Sequence, residues 1–330
     1  MGRLARIFQK PPAEMAEDQP RRALVRRVSN LILPLVFLAW LLFLSVSTPS
    51  FLTWQNVSNV SRQVAVIGLL SLGQFLCMLT GNLDLASAAL MGLFGAVLAG
   101  LSKEIPFPYA LGLALLLAVG WGFANGFLVT RGKNISVIVT LSTMYIAQGL
   151  LLIYTRGRPV ILFPMPYEFL GIGSLGPVPW SLITLALSAV VMGFVLRFTP
   201  VGRHLYAVGG NREAARVCGI PVKRLIIGVY VTSALIATLA GMVLLSRVAS
   251  AQPNAGSGME LDSIAAVLIG GASVSGGYGT VAGTIVGVFI LGFINNGLNL
   301  LNVSGYYQYV FKGAIILIAV LVEALQRRGE

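Results

Sequence analysis

Charge is scarce in this 330-residue chain, and acid is scarcest: Asp and Glu together number 11, Lys and Arg 23, and charged residues make up only 10%. A soluble domain carries roughly 25%. With 56% of its residues hydrophobic, the chain is not an ordinary soluble domain. Histidine occurs once, at His204, which excludes any site built on two imidazoles. Cysteine occurs twice, Cys77 in an apolar run and Cys218 in a polar stretch. Neither has a Cys or His partner at metal-ligand spacing, so both read as free thiols. A membrane enzyme would need clustered acids, bases or ligands, and no such cluster is visible. A nucleotide cradle is missing too. The nearest approach, GFLVTRGKN, puts five residues between Gly126 and Gly132 and has Asn134 in place of Ser or Thr, which fails the phosphate-loop pattern.

What the chain does have is apolar runs. A helix crossing a hydrocarbon core of about 30 Å needs about 20 apolar residues. Breaks at charged, Pro and Gly clusters give ten candidate spans, at 30–49, 59–80, 84–102, 108–130, 135–154, 176–196, 225–246, 261–275, 279–301 and 306–324. The eighth is short and interrupted by glycine. The expected fold is an all-α integral membrane protein of about ten transmembrane helices, some short and discontinuous, since a β-barrel would show short alternating segments instead. Residues 1–29 read as a polar cytoplasmic tail, 30–325 as one polytopic domain and 326–330 as a short cytoplasmic end. The first apolar run begins at Leu31, too late and too long for a cleavable signal.

The net charge of +12 reports topology rather than nucleic acid. With the N-terminus inside, seventeen basic residues fall in cytoplasmic segments and four outside, Lys103, Arg156, Arg158 and Arg247, with Arg62 and Lys312 in or beside spans. That bias places both termini in the cytoplasm.

Two internal similarities run in the same order through both halves. DLASAALMG, residues 84–92, aligns with DSIAAVLIG, residues 262–270, and ANGFLVTRGKNIS from Ala124 resembles NNGLNLLNVSGYY from Asn295. By the span count, the first set starts span three from the cytoplasm and the second starts span eight from outside. Spans 2–5 and 7–10 would then form an inverted repeat, an architecture common among transporters. Asp84, in GNLDLASAAL, stands between two 18-residue apolar stretches. Its position before span three predicts an N-cap rather than an acid at mid-membrane, and Asp262 is expected to cap span eight likewise. Gly81, Gly276, Gly277 and Gly279 read as hinges at the neighbouring turns.

The longest inside connection spans residues 197–224, RFTPVGRHLYAVGGNREAARVCGIPVKR. Asn211 is a good N-cap, REAARVC contains helix formers, and Gly219 followed by Ile220 and Pro221 is a stop, so a helix of about two turns is expected. EAARVCG fits the E-A-A-x-x-x-G loop of permease subunits of ABC importers. Together with GMELDSIAAVLIGGASVSGGYGTVAGTIVG, NNGLNLLNV and GNLDLASAAL, it closely resembles the ribose, xylose, arabinose and galactose branch of those permeases, over residues 30 to 325.

The resemblance implies a bacterial inner-membrane complex. A periplasmic binding protein delivers a sugar, two permease chains form the pathway, by default as a homodimer, and separate ATPase subunits use ATP and Mg. No cofactor is expected on this chain. The loop helix would couple to the ATPase through Asn211, Arg212, Glu213, Ala214, Ala215, Arg216 and Gly219, with Arg212, Glu213 and Arg216 as polar contacts. Pathway candidates, chosen by polarity within spans, are Gln74, Asn125, Ser142, Thr143, Tyr145, Gln148, Asn295, Asn296 and Asn299; helix-to-helix hydrogen bonding is the alternative for each. Where the family writes Gly-Gly-Ile-Asp-Leu-Ser-Val-Gly-Ser, this chain has Asn82 for the second Gly and Ala86, Ser87, Ala88 and Ala89 for the last four. A pentose, hexose, sugar alcohol or other sugar derivative stays open, as does a non-sugar solute. A proton-coupled transporter would need acids at mid-depth, whereas Asp84, Glu260 and Asp262 are expected at span ends. A channel would leave the E-A-A loop without a role.

Overall fold

The computed structural model describes residues 37–132, 135–161, 164–314 and 317. The expected tails, 1–29 and 326–330, lie outside these, as do the start of the first expected span and the end of the tenth. The described helices are α1 (Phe37–Ser47), α2 (Trp54–Leu79), α3 (Ser87–Glu104), α4 (Phe107–Val129), α5 (Ser136–Thr155), α6 (Phe169–Ile172), α7 (Trp180–Phe198), α8 (Pro200–Gly210), α9 (Arg212–Val217), α10 (Val222–Val248), α11 (Met259–Ile269) and α12 (Val281–Leu300), followed by α13 at 305–314. Two minimal antiparallel pairs tie loops together. β1 (Val160–Ile161) pairs with β4 (Ser250–Ala251), and β2 (Ser174–Leu175) with β3 (Val178–Pro179).

The protein is an all-α integral membrane protein. A helix stands within each of the ten expected spans, but only six of them, α2, α4, α5, α7, α10 and α12, are long and apolar enough among the described residues to cross a bilayer. The other four differ. α1 and α13 border residues outside the described set, and the 18 residues of α3 end in Lys103 and Glu104. α11 has 11 residues, or about 16 Å of helix, which falls well short of a 30 Å core. The eighth expected span is therefore corrected to a half-length helix. Its physical cause is glycine: Gly270 caps it, and Gly271, Gly276, Gly277 and Gly279 all take positive φ before α12 begins.

Two helices form the centre. In their most apolar windows α2 is 89% buried and α10 61%, whereas α4, α5 and α7 are 22 to 33% buried and present apolar faces outward. α10 packs on α3 and α4, α2 packs on α11 and α12, and α2 and α10 pack on each other. Each central helix thus serves the partners that follow the other in sequence. Small residues permit the approach. A Cβ on Gly122 or Gly126 of α4 would lie 2.6 Å from α10 backbone atoms, and one on Gly95 of α3 would lie 3.1 Å from Gly241 Cα; this is the small-residue helix packing expected in lipid.

The 84–92 and 262–270 stretches do not hold equivalent places. Asp84 precedes α3 by three residues and Gly92 lies inside that helix, whereas Asp262 lies inside α11 and Gly270 ends it. The Asn-Gly pairs compare better, since Asn125-Gly126 and Asn296-Gly297 both stand near a helix C-terminus.

Candidate functional site

The connection from α7 to α10 folds as two helices in series. Pro200 opens α8, with Thr199 Oγ1 accepting from Gly202 N. Asn211 ends α8 and caps α9, its extended backbone (φ −153°) turning the chain while Oδ1 accepts from Glu213 N at 3.1 Å and Ala214 N at 2.9 Å. Gly219 closes α9 at φ +81°. Its N–H bonds to Arg216 O and that of Ile220 to Ala215 O, a Schellman stop that needs a left-handed residue. Both ends of a six-residue helix are thereby fixed, although so short a helix is not stable in isolation.

Its faces are unequal. Ala215 is 4% exposed and packs inward, while Val217 is 87% exposed and Glu213, Ala214 and Arg216 are also open. Arg212, expected to face a partner, is turned toward its own chain. Its Nη2 donates to Thr80 O at 3.0 Å and Asn82 Oδ1 at 3.4 Å, which fixes α9 to the turn between α2 and α3. Asn82 Nδ2 donates to Thr80 O and Oγ1 within that turn.

A second attachment lies beside the first. Tyr206 Oη donates to Gly279 O at 2.9 Å, and partial burial raises its pKa, so the hydroxyl keeps its proton at neutral pH. Gly277 N donates to Leu79 O at 2.9 Å. At Gly209 a Cβ would collide with Leu79 O and Gly277 N, and at Gly276 it would lie 2.7 Å from Gly81 N. Gly81, Gly276 and Gly277, all at positive φ, therefore form with Gly209 a backbone-to-backbone contact in which no side chain fits, while Gly279, also at positive φ, packs against Ala272 and the Phe75 ring. Nothing in sequence order pointed to Thr80, Tyr206 or Gly209 as members; the Gly209-Gly210 pair before a capped helix was the available signal.

Asp84 is not the N-cap of α3. That cap is Ala86, without a side-chain bond. Asp84 Oδ1 accepts from Ala86 N at 3.0 Å, Oδ2 accepts from Ser233 Oγ at 2.7 Å, and the residue is 1% exposed. Its N–H reaches Gln74 Oε1 at 3.3 Å, while Leu83 O accepts from Tyr230 Oη at 2.9 Å. Ser233 lies about 17 Å along α10 from Val222, so this turn is folded into the bundle. Chain order suggested an open turn because it cannot show which elements pack over it.

Asp262 is not a cap either. The α11 cap is Gly258, and Asp262, one turn in, accepts from Lys312 Nζ at 2.7 Å. The pair places a cation beside a carboxylate that is 6% exposed in the first turn of α11, and a buried charge is costly without such a partner.

The pathway candidates do not come together. Gln74 joins the Asp84 cluster, and Asn125 is buried on α4. Asn296 exchanges amide bonds with Asn56 at 2.8 and 3.0 Å, Asn299 accepts from Gln308 at 2.8 Å, and Asn295 is buried nearby on α12; all sit toward the end of α2 opposite Gln74. Ser142, Thr143, Tyr145 and Gln148 lie along α5. Ser142 and Tyr145 are exposed there, and Ser142 and Thr143 bond back to their own helix. At the same end as Asn56, Arg62 donates to Gly171 O, Ile172 O and Ser174 Oγ and, with Arg247, lines a cleft of about 570 Å³. Among the described residues no group of three metal-ligating side chains occurs.

A polytopic helical bundle, two central helices and a capped helix displayed on the α7–α10 connection make up the architecture of a multi-pass membrane protein. Residues 56–320 match the family described as branched-chain amino acid transport system / permease component, and the chain belongs to that permease family. It is 44% identical to the ribose import permease protein of Bacillus subtilis over 285 residues, 86% of this chain and 88% of that protein. It is 39% identical to the ribose import permease protein of Escherichia coli K12 over 307 residues, covering 92% and 95%. The L-arabinose ABC transporter permease protein of Azospirillum brasilense is 34% identical over 324 residues, covering 98% and 95%. No solved structure gives a significant match.

Proposed function

We propose that this chain is the membrane subunit of an ATP-driven importer for a pentose or closely related sugar. The observation that carries the reading is near full-length similarity to permeases named for ribose and arabinose. The family description names amino acids, but that description covers a wider group than these relatives.

In this reading ten helices cross or enter the bacterial inner membrane with both termini in the cytoplasm. Spans 2–5 and 7–10 are related as an inverted repeat, a relation supported by the exchanged packing of α2 and α10. A second copy of the chain faces α5, whose exposed Ser142 and Tyr145 are poorly placed against lipid and well placed along a sugar pathway. A periplasmic binding protein delivers the sugar. ATPase subunits, using ATP and Mg, receive α9 through Glu213, Ala214 and Arg216, while Asn211, Ala215 and Gly219 hold its shape.

Two measurements test this. Titration of the cognate binding protein with ribose, arabinose and leucine should give binding to a pentose and none to leucine; the reverse would move the chain to the amino-acid side of its family. Charge reversal at Glu213 and Arg216 should weaken co-purification of the ATPase about tenfold with the permease still folded. Undiminished assembly would remove α9 from the interface.

A further inference from the structure

The permease reading leaves open how movement of α9 would enter the bundle, and the geometry offers a specific route. α9 has two faces. The open one carries Glu213, Ala214, Arg216 and Val217; the other carries Ala215, packed inward, and Arg212, bonded to Thr80 and Asn82. Rigid capping at Asn211 and Gly219 means that a push on the open face moves the whole helix, Arg212 included.

Behind Arg212 the turn is stiff. Asn82 braces Thr80 through two bonds, and only Leu83 separates Asn82 from Asp84. Leu83 O and Asp84 Oδ2 are held by Tyr230 and Ser233 of α10, and α3 begins three residues beyond Asp84. One arm thus runs from α9 through residues 80–84 to α3 and α10. The other runs from α8, the preceding helix, through Tyr206 to Gly279 and through the glycine contact to the loop between α11 and α12. The two arms meet where Gly277 N bonds Leu79 O. Both halves of the bundle are therefore gripped at one point, on the inner face of the displayed helix.

We propose that Arg212 is a positioning residue for transport: it carries displacement of α9 to the 80–84 turn and so sets the orientation of α3 against α10. The proposal rests on the reading of α9 as the ATPase contact. It differs in where Arg212 acts, which is on the chain's own turn and not on the partner. A guanidinium suits this role because it stays protonated, and its Nη2 group donates to a backbone carbonyl and a side-chain amide oxygen at once. Asn82 supplies the second acceptor through Oδ1.

The test uses the complete transporter, with its ATPase and binding protein, in proteoliposomes with ribose as the probe sugar. Four quantities are read: ATPase stoichiometry, basal hydrolysis, hydrolysis stimulated by ribose-loaded binding protein, and ribose uptake per ATP. Arg212→Ala should assemble like the wild type and keep basal hydrolysis, while uptake per ATP falls about tenfold, the scale of a typical coupling free energy. Arg212→Lys should recover a substantial part of the coupling, and Asn82→Gly should lower it about twofold, because Thr80 O remains available. A merely structural role would lower assembly and uptake together and leave the ratio unchanged. Should Arg212→Ala fail to fold, Arg212→Met decides by the same ratio. An unchanged ratio in the assembled Arg212→Ala variant, or in Arg212→Met where that variant replaces it, overturns the proposal, and loss of ATPase association on Arg212→Ala with normal folding returns Arg212 to the partner interface. A wild-type chain that binds no ATPase overturns the coupling reading and this proposal with it.

Discussion

Asp84 and Asp262 head similar nine-residue stretches, yet their surroundings have almost nothing in common. Asp84 lies outside any helix in a buried turn, where its two oxygens accept from a backbone N–H and a serine hydroxyl. Asp262 lies in the first turn of a helix, and it is matched by a cation from α13. The difference teaches how a low-polarity bundle keeps an acid. Neutral hydrogen-bond donors hold the one, and a countercharge holds the other.

The largest effect is expected at Asp84, because it is almost wholly enclosed. Asp84→Leu removes the acceptor of two hydrogen bonds and leaves Ser233 Oγ and Ala86 N facing apolar atoms. A loss of about 2 kcal/mol follows from leaving buried donors unsatisfied, visible as poor expression and a lowered unfolding midpoint in detergent. Asp84→Asn keeps Oδ1 for Ala86, and its amide can donate to Ser233 Oγ, whose own proton is free to rotate. It should retain most stability and uptake. Equal loss in the two variants would mean that the charge itself, and not the acceptor geometry, is what the turn requires.

Part of this contrast was legible in the sequence and part was not. The apolar runs, the Asn211 cap, the Gly219 stop and the glycine-broken eighth helix depend on local chemistry, and each was written within a few residues. Depth is not local. Asp84 sits between two apolar runs whether its turn lies at the surface or inside, and only Ser233, 149 residues away, distinguishes the two. Lys312 looked like a stray charge beside a span because its partner, Asp262, is 50 residues distant. Arg212 looked like a surface contact because a helix two turns long does not reveal which of its faces is inward. Polarity within spans selected the pathway candidates, and it gathered residues from both ends of the bundle because polarity carries no position along the membrane normal.

An effect no larger than this is expected at the ion pair, since the Lys312 side chain keeps 29% of its exposure. Removing either charge leaves the other partly able to reach a polar region, so Asp262→Asn or Lys312→Met should cost about 2 kcal/mol, less than full burial would impose. Exchange of the two residues, Asp262→Lys with Lys312→Asp, should recover at least half of that loss, read from the unfolding midpoint. No such exchange could rescue Asp84, which has no charged partner among the described residues. Failure of the swap to recover anything would show that α11 needs the carboxylate for its position on the helix and not for its charge.

The smallest effect isolates the Asp84 arrangement itself. Ser233→Ala removes one hydroxyl donor and leaves the carboxylate with Ala86 N, costing about 1 to 2 kcal/mol. In an Asp84→Asn background the same change should cost less, because a neutral amide makes a weaker bond to the hydroxyl. The difference between the two backgrounds is the interaction energy across α10 and the turn. Additive losses would place Ser233 outside the support of Asp84 and leave the Tyr230 bond to Leu83 O as the hold of α10 on the turn. A coupling of about 1 kcal/mol would show that the two move as one body, the mechanical property that transmission from α9 requires.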